Sequence, residues 1–123
     1  MKTTQGKAVT AYITLATMAR KQMPSFAAYK LFRLKKKLAD IVEFQSDQEQ
    51  KLAEELGGAF NPENGTLQIS DPDKRKEYND RHRELEDMEC EIQGEKIIMT
   101  MKEMPDLSMA DMETLDEFVE WRE

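Results

Sequence analysis

Ala8, Ala11, Tyr12, Leu15, Met18 and Ala19 recur at steps of three and four residues, and Val9, Ile13 and Ala16 widen the same apolar side, so residues 6–21 are predicted to form an amphipathic helix. Arg20 and Lys21 near its end suit the helix dipole. Pro24 interrupts the pattern. Its ring biases Met23 away from helical geometry and is preset for a first helical turn, which predicts a second helix from residue 24 to Gly57-Gly58, where a glycine takes the left-handed stop conformation. At about 1.5 Å per residue this is a rod on the order of 50 Å long.

Leu31, Leu34, Leu38, Ile41, Gln45, Gln48, Leu52 and Leu56 follow a three-four alternation along the rod, broken only at the last step. Six apolar and two glutamine positions make a seam of the coiled-coil type, in which buried polar residues fix register at some loss of stability. An ordinary core stripe with two boundary glutamines satisfies the same spacing. In either case the helix needs a neighbour, parallel or antiparallel.

The remaining elements are shorter. Asn64-Gly65 is a tight-turn signal, residues 66–69 suit a short strand, and Asp71 before Pro72 is a helix cap, so residues 72–88 are predicted as a charged third helix with a thin apolar stripe that includes Tyr78 and Leu85. Cys90/Ile92 and Ile97/Met99/Met101 alternate around Gly94, which predicts a small hairpin or a single edge strand over residues 88–104. Ser108-x-x-Asp111 resembles a capping box and opens a last helix through Trp121, with Met112, Leu115, Phe118 and Val119 as its apolar face. The expected fold is therefore mainly α with a small β-hairpin: a long central helix, a helical hairpin and short strands. It forms a single domain over residues 1–123, with a basic helical part, 1–57, and an acidic helix-strand-helix part, 58–123.

The balance of 39% hydrophobic and 35% charged residues suits elongated helices better than a globule enclosing a deep catalytic pocket. No apolar run approaches the roughly 20 residues of a membrane span, the opening "MKTTQGKAVTAY" lacks the apolar core of a secretory signal, and Cys90 has no partner for an intramolecular disulfide. These features lead to the expectation of a soluble, cytoplasmic protein. No phosphate-cradling glycine loop, nucleophile elbow or calcium-loop pattern is present. His82 stands alone in "DRHREL" and reads as a solvated side chain of a charged helix, and the acidic run from Glu84 to Glu91 lacks the glycine-turned loop of a cation site. Neither a metal, a cofactor nor an enzymatic activity is expected.

Charge changes the picture more than composition does. Residues 1–39 hold nine Lys or Arg and no acid, a charge of +9, while the rest of the chain carries −16. Around the long helix at about 100° per residue, Tyr29, Phe32, Arg33, Lys36 and Lys37 fall away from the seam, with Lys30 beside it. Aromatics among cations are what a stacking platform for single strands requires. A second packing face against the first helix explains Tyr29 and Phe32 equally well and is preferred on burial grounds. Sixteen net negative charges on the same small domain also disfavour nucleic acid as the partner. The long helix runs basic early and acidic late, with Glu54 and Glu55 in its last turn, against the preference of its dipole. An antiparallel copy, or the acidic half folding back, would match plus to minus, and a homodimer through the seam is the simplest expectation. Six of nine methionines lie between positions 88 and 112. Methionine adapts to varied partners, so Met99, Met101 and Met104 with Glu84, Asp87 and Glu91 form a candidate acidic, pliable partner surface; a loosely specified small core is the alternative.

The stretch "MPSFAAYKLFRLKKKLADI" resembles the recurring helix of a group of small phage and prophage proteins, in which Pro opens a segment with Ala-Tyr-Lys-Leu and Lys-rich leucine spacing. "DLSMADMETLDEFVEW" is similar to their Ser-x-Ala-Asp cap before an acidic terminal helix. The two segments cover about 35 residues. The resemblance implies phage origin, a host-cell location and helix-strand-helix order, and it carries over no catalytic residue. Small acidic phage proteins without enzymatic motifs are often inhibitors of host or defence factors, which is the expected function. A virion or assembly adaptor is the second expectation and a nucleic-acid-binding regulator using the basic helix the third.

Overall fold

The computed structural model is described for residues 1–61, 63–64 and 66–123, so Gly65 of the expected Asn64-Gly65 turn lies outside the described residues. In chain order the elements are β1 (Lys2–Thr4), α1 (Gln5–Met18), α2 (Ser25–Glu55), β2 (Ala59–Asn61), β3 (Thr66–Gln68), α3 (Pro72–Asp87), β4 (Glu89–Glu91), β5 (Ile97–Thr100), α4 (Met109–Leu115) and β6 (Val119–Arg122). The mainly α expectation holds.

Local chemistry explains the helix ends. Thr4 Oγ1 accepts from the Lys7 amide at 3.3 Å and opens α1, the Asp71 carboxylate accepts from the Asp73 amide at 2.9 Å, and Ser108 Oγ accepts from the Asp111 amide at 3.1 Å. Pro24 occupies the N-cap position of α2 rather than its first turn. At the other end Gly57 has φ +74°, and the amides of Gly57 and Gly58 donate to the carbonyls of Glu54 and Ala53 at 3.1 and 2.8 Å, the paired bonds of a Schellman stop. Gly58 is also needed for space, because a Cβ there would lie 2.4 Å from Ile69 Cγ1.

The strands pair over long sequence distances. β1 runs antiparallel to β4 with Thr3 opposite Cys90, and β5 runs parallel to β6 with Met99 opposite Trp121. Residues 88–104 thus hold two strands, but these do not form the expected hairpin with each other. The local hairpin is β2–β3, with Phe60 opposite Leu67. The last helix is shorter than expected. It stops at Leu115, and Val119 and Trp121, a β-branched and an aromatic residue on alternate positions, continue as a strand paired beside Ile97 and Met99 of β5.

Two apolar cores result. The larger gathers Ala8, Ala11, Leu15 and Met18 of α1, Leu31, Leu34 and Leu38 of α2, and Met99, Leu115, Phe118 and Val119 from the C-terminal third. The smaller joins Leu52, Ala53, Leu56, Ile69 and Tyr78. Leu34 and Leu38 are 0% exposed within one chain, with Gln45 and Leu52 buried and Ile41 and Gln48 half-buried. This corrects the expectation of a seam between subunits: the leucine stripe is buried within one chain, Leu31, Leu34 and Leu38 against α1 and the C-terminal third and Leu52 and Leu56 against Ile69 and Tyr78.

Candidate functional site

An open groove of about 840 Å³ draws its lining from distant parts of the chain. Gly6, Lys7 and Thr10 of α1 form one wall, Gln45 and Glu49 of α2 lie along its length, and His82, Glu86 and Asp87 close it from α3. Glu113 of α4, followed by Asp116 and Glu117, completes it together with Lys96. Gly6 lets α1 and α3 approach, since a Cβ on it would lie 3.2 Å from Glu86 Cβ. Six carboxylates face two lysines here. Both lysines are engaged: Lys7 lies 3.8 Å from Glu117, and Lys96 Nζ donates to the Asp116 carbonyl at 3.3 Å.

Two groups define the chemistry of the groove. Gln45 is 4% exposed, and its Oε1 has no hydrogen-bond partner among the described residues, so a buried acceptor borders a negatively charged space. His82 is not the solvated side chain expected. Its Nε2 lies 3.0 Å from Glu49 and its Nδ1 3.1 Å from Glu86, and the ring stacks on Tyr78 at 5.5 Å. The hydrogen bond to Glu49 raises the His82 pKa above its ordinary value against the opposing effect of burial, and the charges of Glu49 and Glu86 add to the rise. Burial pushes Tyr78 up to about 12, with the same two carboxylates contributing.

The acidic surface inferred from sequence is only partly assembled. Asp87 lines the groove, whereas Glu84 faces a separate cleft beside Arg81 and Met88, and Glu91 is exposed on β4 opposite Lys2. Met99 is buried in the core, Met104 packs against it, and Met101 alone of the three is exposed, which overturns the Met-rich partner surface. Among the described residues no three His, Cys, Asp or Glu side chains converge on a metal position, and no helix is long and apolar enough to cross a membrane.

The basic patch also differs from expectation. Tyr29 and Phe32 are 54% and 55% exposed, and Phe32 borders a cleft with Leu15, Met18 and Ala19. With Phe26 they form a ladder in which each ring meets the cation four residues on: Lys30 over Phe26 at 4.4 Å, Arg33 over Tyr29 at 5.8 Å and Lys36 over Phe32 at 5.6 Å. Arg33 Nη1 also donates to the Tyr29 hydroxyl at 3.1 Å. Lys30 turns inward, its Nζ donating to the Ile98 carbonyl at 3.0 Å and lying 3.7 Å from Glu103, and Lys37 reaches toward Gly94. Tyr29, Phe32, Arg33 and Lys36 remain together on the solvent side.

Glu49, Gln45 and the Glu113–Glu117 group were not grouped by sequence reasoning. They lie far apart in the chain, and no spacing signal could have joined them. Comparison with known proteins finds no matching family model, no matching curated protein and no matching solved structure.

Proposed function

We propose that this chain is a non-enzymatic protein that binds another protein stoichiometrically, its acidic groove receiving a basic segment of the partner. The observation that carries this reading is the groove itself, in which six carboxylates surround two already engaged lysines and a buried, unpartnered Gln45 acceptor. An arginine or lysine side chain supplies the positive charge that such a site lacks. Given the resemblance to small phage proteins, the favoured form of this function is inhibition of a host or defence factor in the host cytoplasm. A phage assembly adaptor using the same groove is the alternative.

The test is titration of a labelled arginine-rich peptide at low salt against wild type and two neutralised variants. Changing Glu113→Gln, Asp116→Asn and Glu117→Gln together should weaken binding about tenfold or more. The same number of neutralisations on α3 outside the groove, Glu77→Gln, Asp80→Asn and Glu84→Gln, should leave it nearly unchanged. Equal weakening by both sets would mean that net charge, and not the groove, attracts the peptide.

A further inference from the structure

The outer side of α2 carries its own series at three- and four-residue steps: Tyr29, Arg33, Lys36, Asp40, Glu43 and Asp47, with Phe32 and Phe44 alongside. All are exposed, Phe44 at 41%. At about 100° per residue they occupy a sector roughly 120° wide, opposite the leucine stripe. None of the five charged members takes part in an ion pair among the described residues. The sector is basic and aromatic in its first half and acidic in its second, a gradient that runs against the helix dipole and so gains nothing from the isolated helix.

We propose that this sector docks antiparallel on the same sector of a second copy, about a two-fold axis beside Leu38. That axis sets Arg33 level with Glu43, Lys36 level with Asp40 and Phe32 level with Phe44 of the other copy, so the basic half of each sector lies along the acidic half of its partner. Tyr29 falls opposite Asp47. The Tyr29 hydroxyl accepts from Arg33 of its own chain, which leaves its hydrogen to donate to that carboxylate. A parallel arrangement would set Arg33 on Arg33 and Glu43 on Glu43, so the charges determine orientation as well as partner. Rings that are half exposed in one chain provide the apolar part of the contact, and Lys36 and Arg33 already lie over them. A single-stranded nucleic acid would find the ladder attractive, but Asp40, Glu43 and Asp47 on the same sector repel its phosphates. The proposal is independent of the groove, which lies on another side of α2.

Light scattering at low and at molar salt, combined with a charge swap, tests it. Wild type should be a dimer at low salt and shift toward monomer at high salt, where the screening length falls to about 3 Å. Arg33→Glu with Lys36→Glu, and separately Asp40→Lys with Glu43→Lys, should each self-associate about a hundredfold more weakly, because like charges then face each other. Mixed one to one, the two variants should form a heterodimer, since every facing pair is again opposite in sign. Circular dichroism checks that each variant is folded; if a reversal unfolds the chain, Arg33→Gln with Lys36→Gln replaces it and should still weaken association. A wild-type monomer at low salt, or variants that stay monomeric when mixed, would overturn the proposal. So would a monomer whose binding to an oligothymidine is lost in Arg33→Glu/Lys36→Glu, which would assign the sector to single-stranded nucleic acid.

Discussion

On its inner side α2 presents Leu31, Leu34 and Leu38, none more than 5% exposed; on its outer side, at similar steps, it presents Tyr29, Arg33, Lys36, Asp40, Glu43 and Asp47, all open to solvent. The spacing is nearly the same, yet one stripe holds the chain together and the other is left for contacts beyond it. Periodicity therefore identifies a face without saying who covers it. The chemistry decides: aliphatic side chains are buried by the first apolar elements available, here α1 and the C-terminal third, whereas charged positions stay solvated until an opposite charge arrives.

The contrast is broken most directly at Leu38 and Phe32. Leu38→Ala removes a fully buried side chain among α1, α2 and β5 and should destabilise the chain by about 2–5 kcal/mol. Phe32→Ala, on the outer side, should change stability by about 0.5 kcal/mol or less. Urea unfolding of the two variants gives both numbers. Comparable losses would mean that the outer side is also part of the folding core.

The inner side has one polar member whose replacement sharpens the comparison. Gln45 is buried with an unpartnered Oε1, so Gln45→Leu removes an unsatisfied acceptor and extends the leucine stripe. It should raise stability by about 1 kcal/mol. Loss of stability in urea unfolding would show that the glutamine side chain is satisfied where it lies.

The elements that were legible in sequence are those marked at their ends. Pro24, Gly57, Asp71 and Ser108 each act through a backbone position next to them, and the helix boundaries fall within a few residues of these signals. The last helix is the exception at its C-terminal end, because Val119–Arg122 is held as strand by β5, some twenty positions away. The strands at 89–91 and 97–100 show their alternation in sequence, but a three- or four-residue strand says nothing about its partner, and both partners sit near the ends of the chain. The groove was illegible for the same reason. Glu49, Glu86 and Asp116 are neighbours only because α1 and α3 close on α2. The mixing of Tyr29 and Phe32 with Arg33 and Lys36, by contrast, was visible in sequence; what sequence could not tell was that both rings stay half exposed.

Glu49 is the acid of α2 that separates the two sides most finely. Among the described residues Asp40, Glu43 and Asp47 have no ion-pair partner, whereas Glu49, on the groove side, is only 17% exposed and holds His82. Because this contact raises the folded pKa of His82 above its unfolded value, its stabilisation is fully present below about pH 6.5 and is lost as pH rises through the folded pKa. Stability should therefore fall by something on the order of 1 kcal/mol across that window, and His82→Gln should remove the slope. The groove should respond in the opposite sense. Each proton lost from His82 makes it more negative, so affinity for the arginine-rich peptide should rise over the same interval in which stability falls. Thermal unfolding and peptide titration measured at a series of pH values should both level off above the same upper limit, the folded pKa of His82, and both should flatten in His82→Gln. A pH dependence of binding that persists in His82→Gln would detach the groove from the His82–Glu49 contact and leave that pair with a purely structural role.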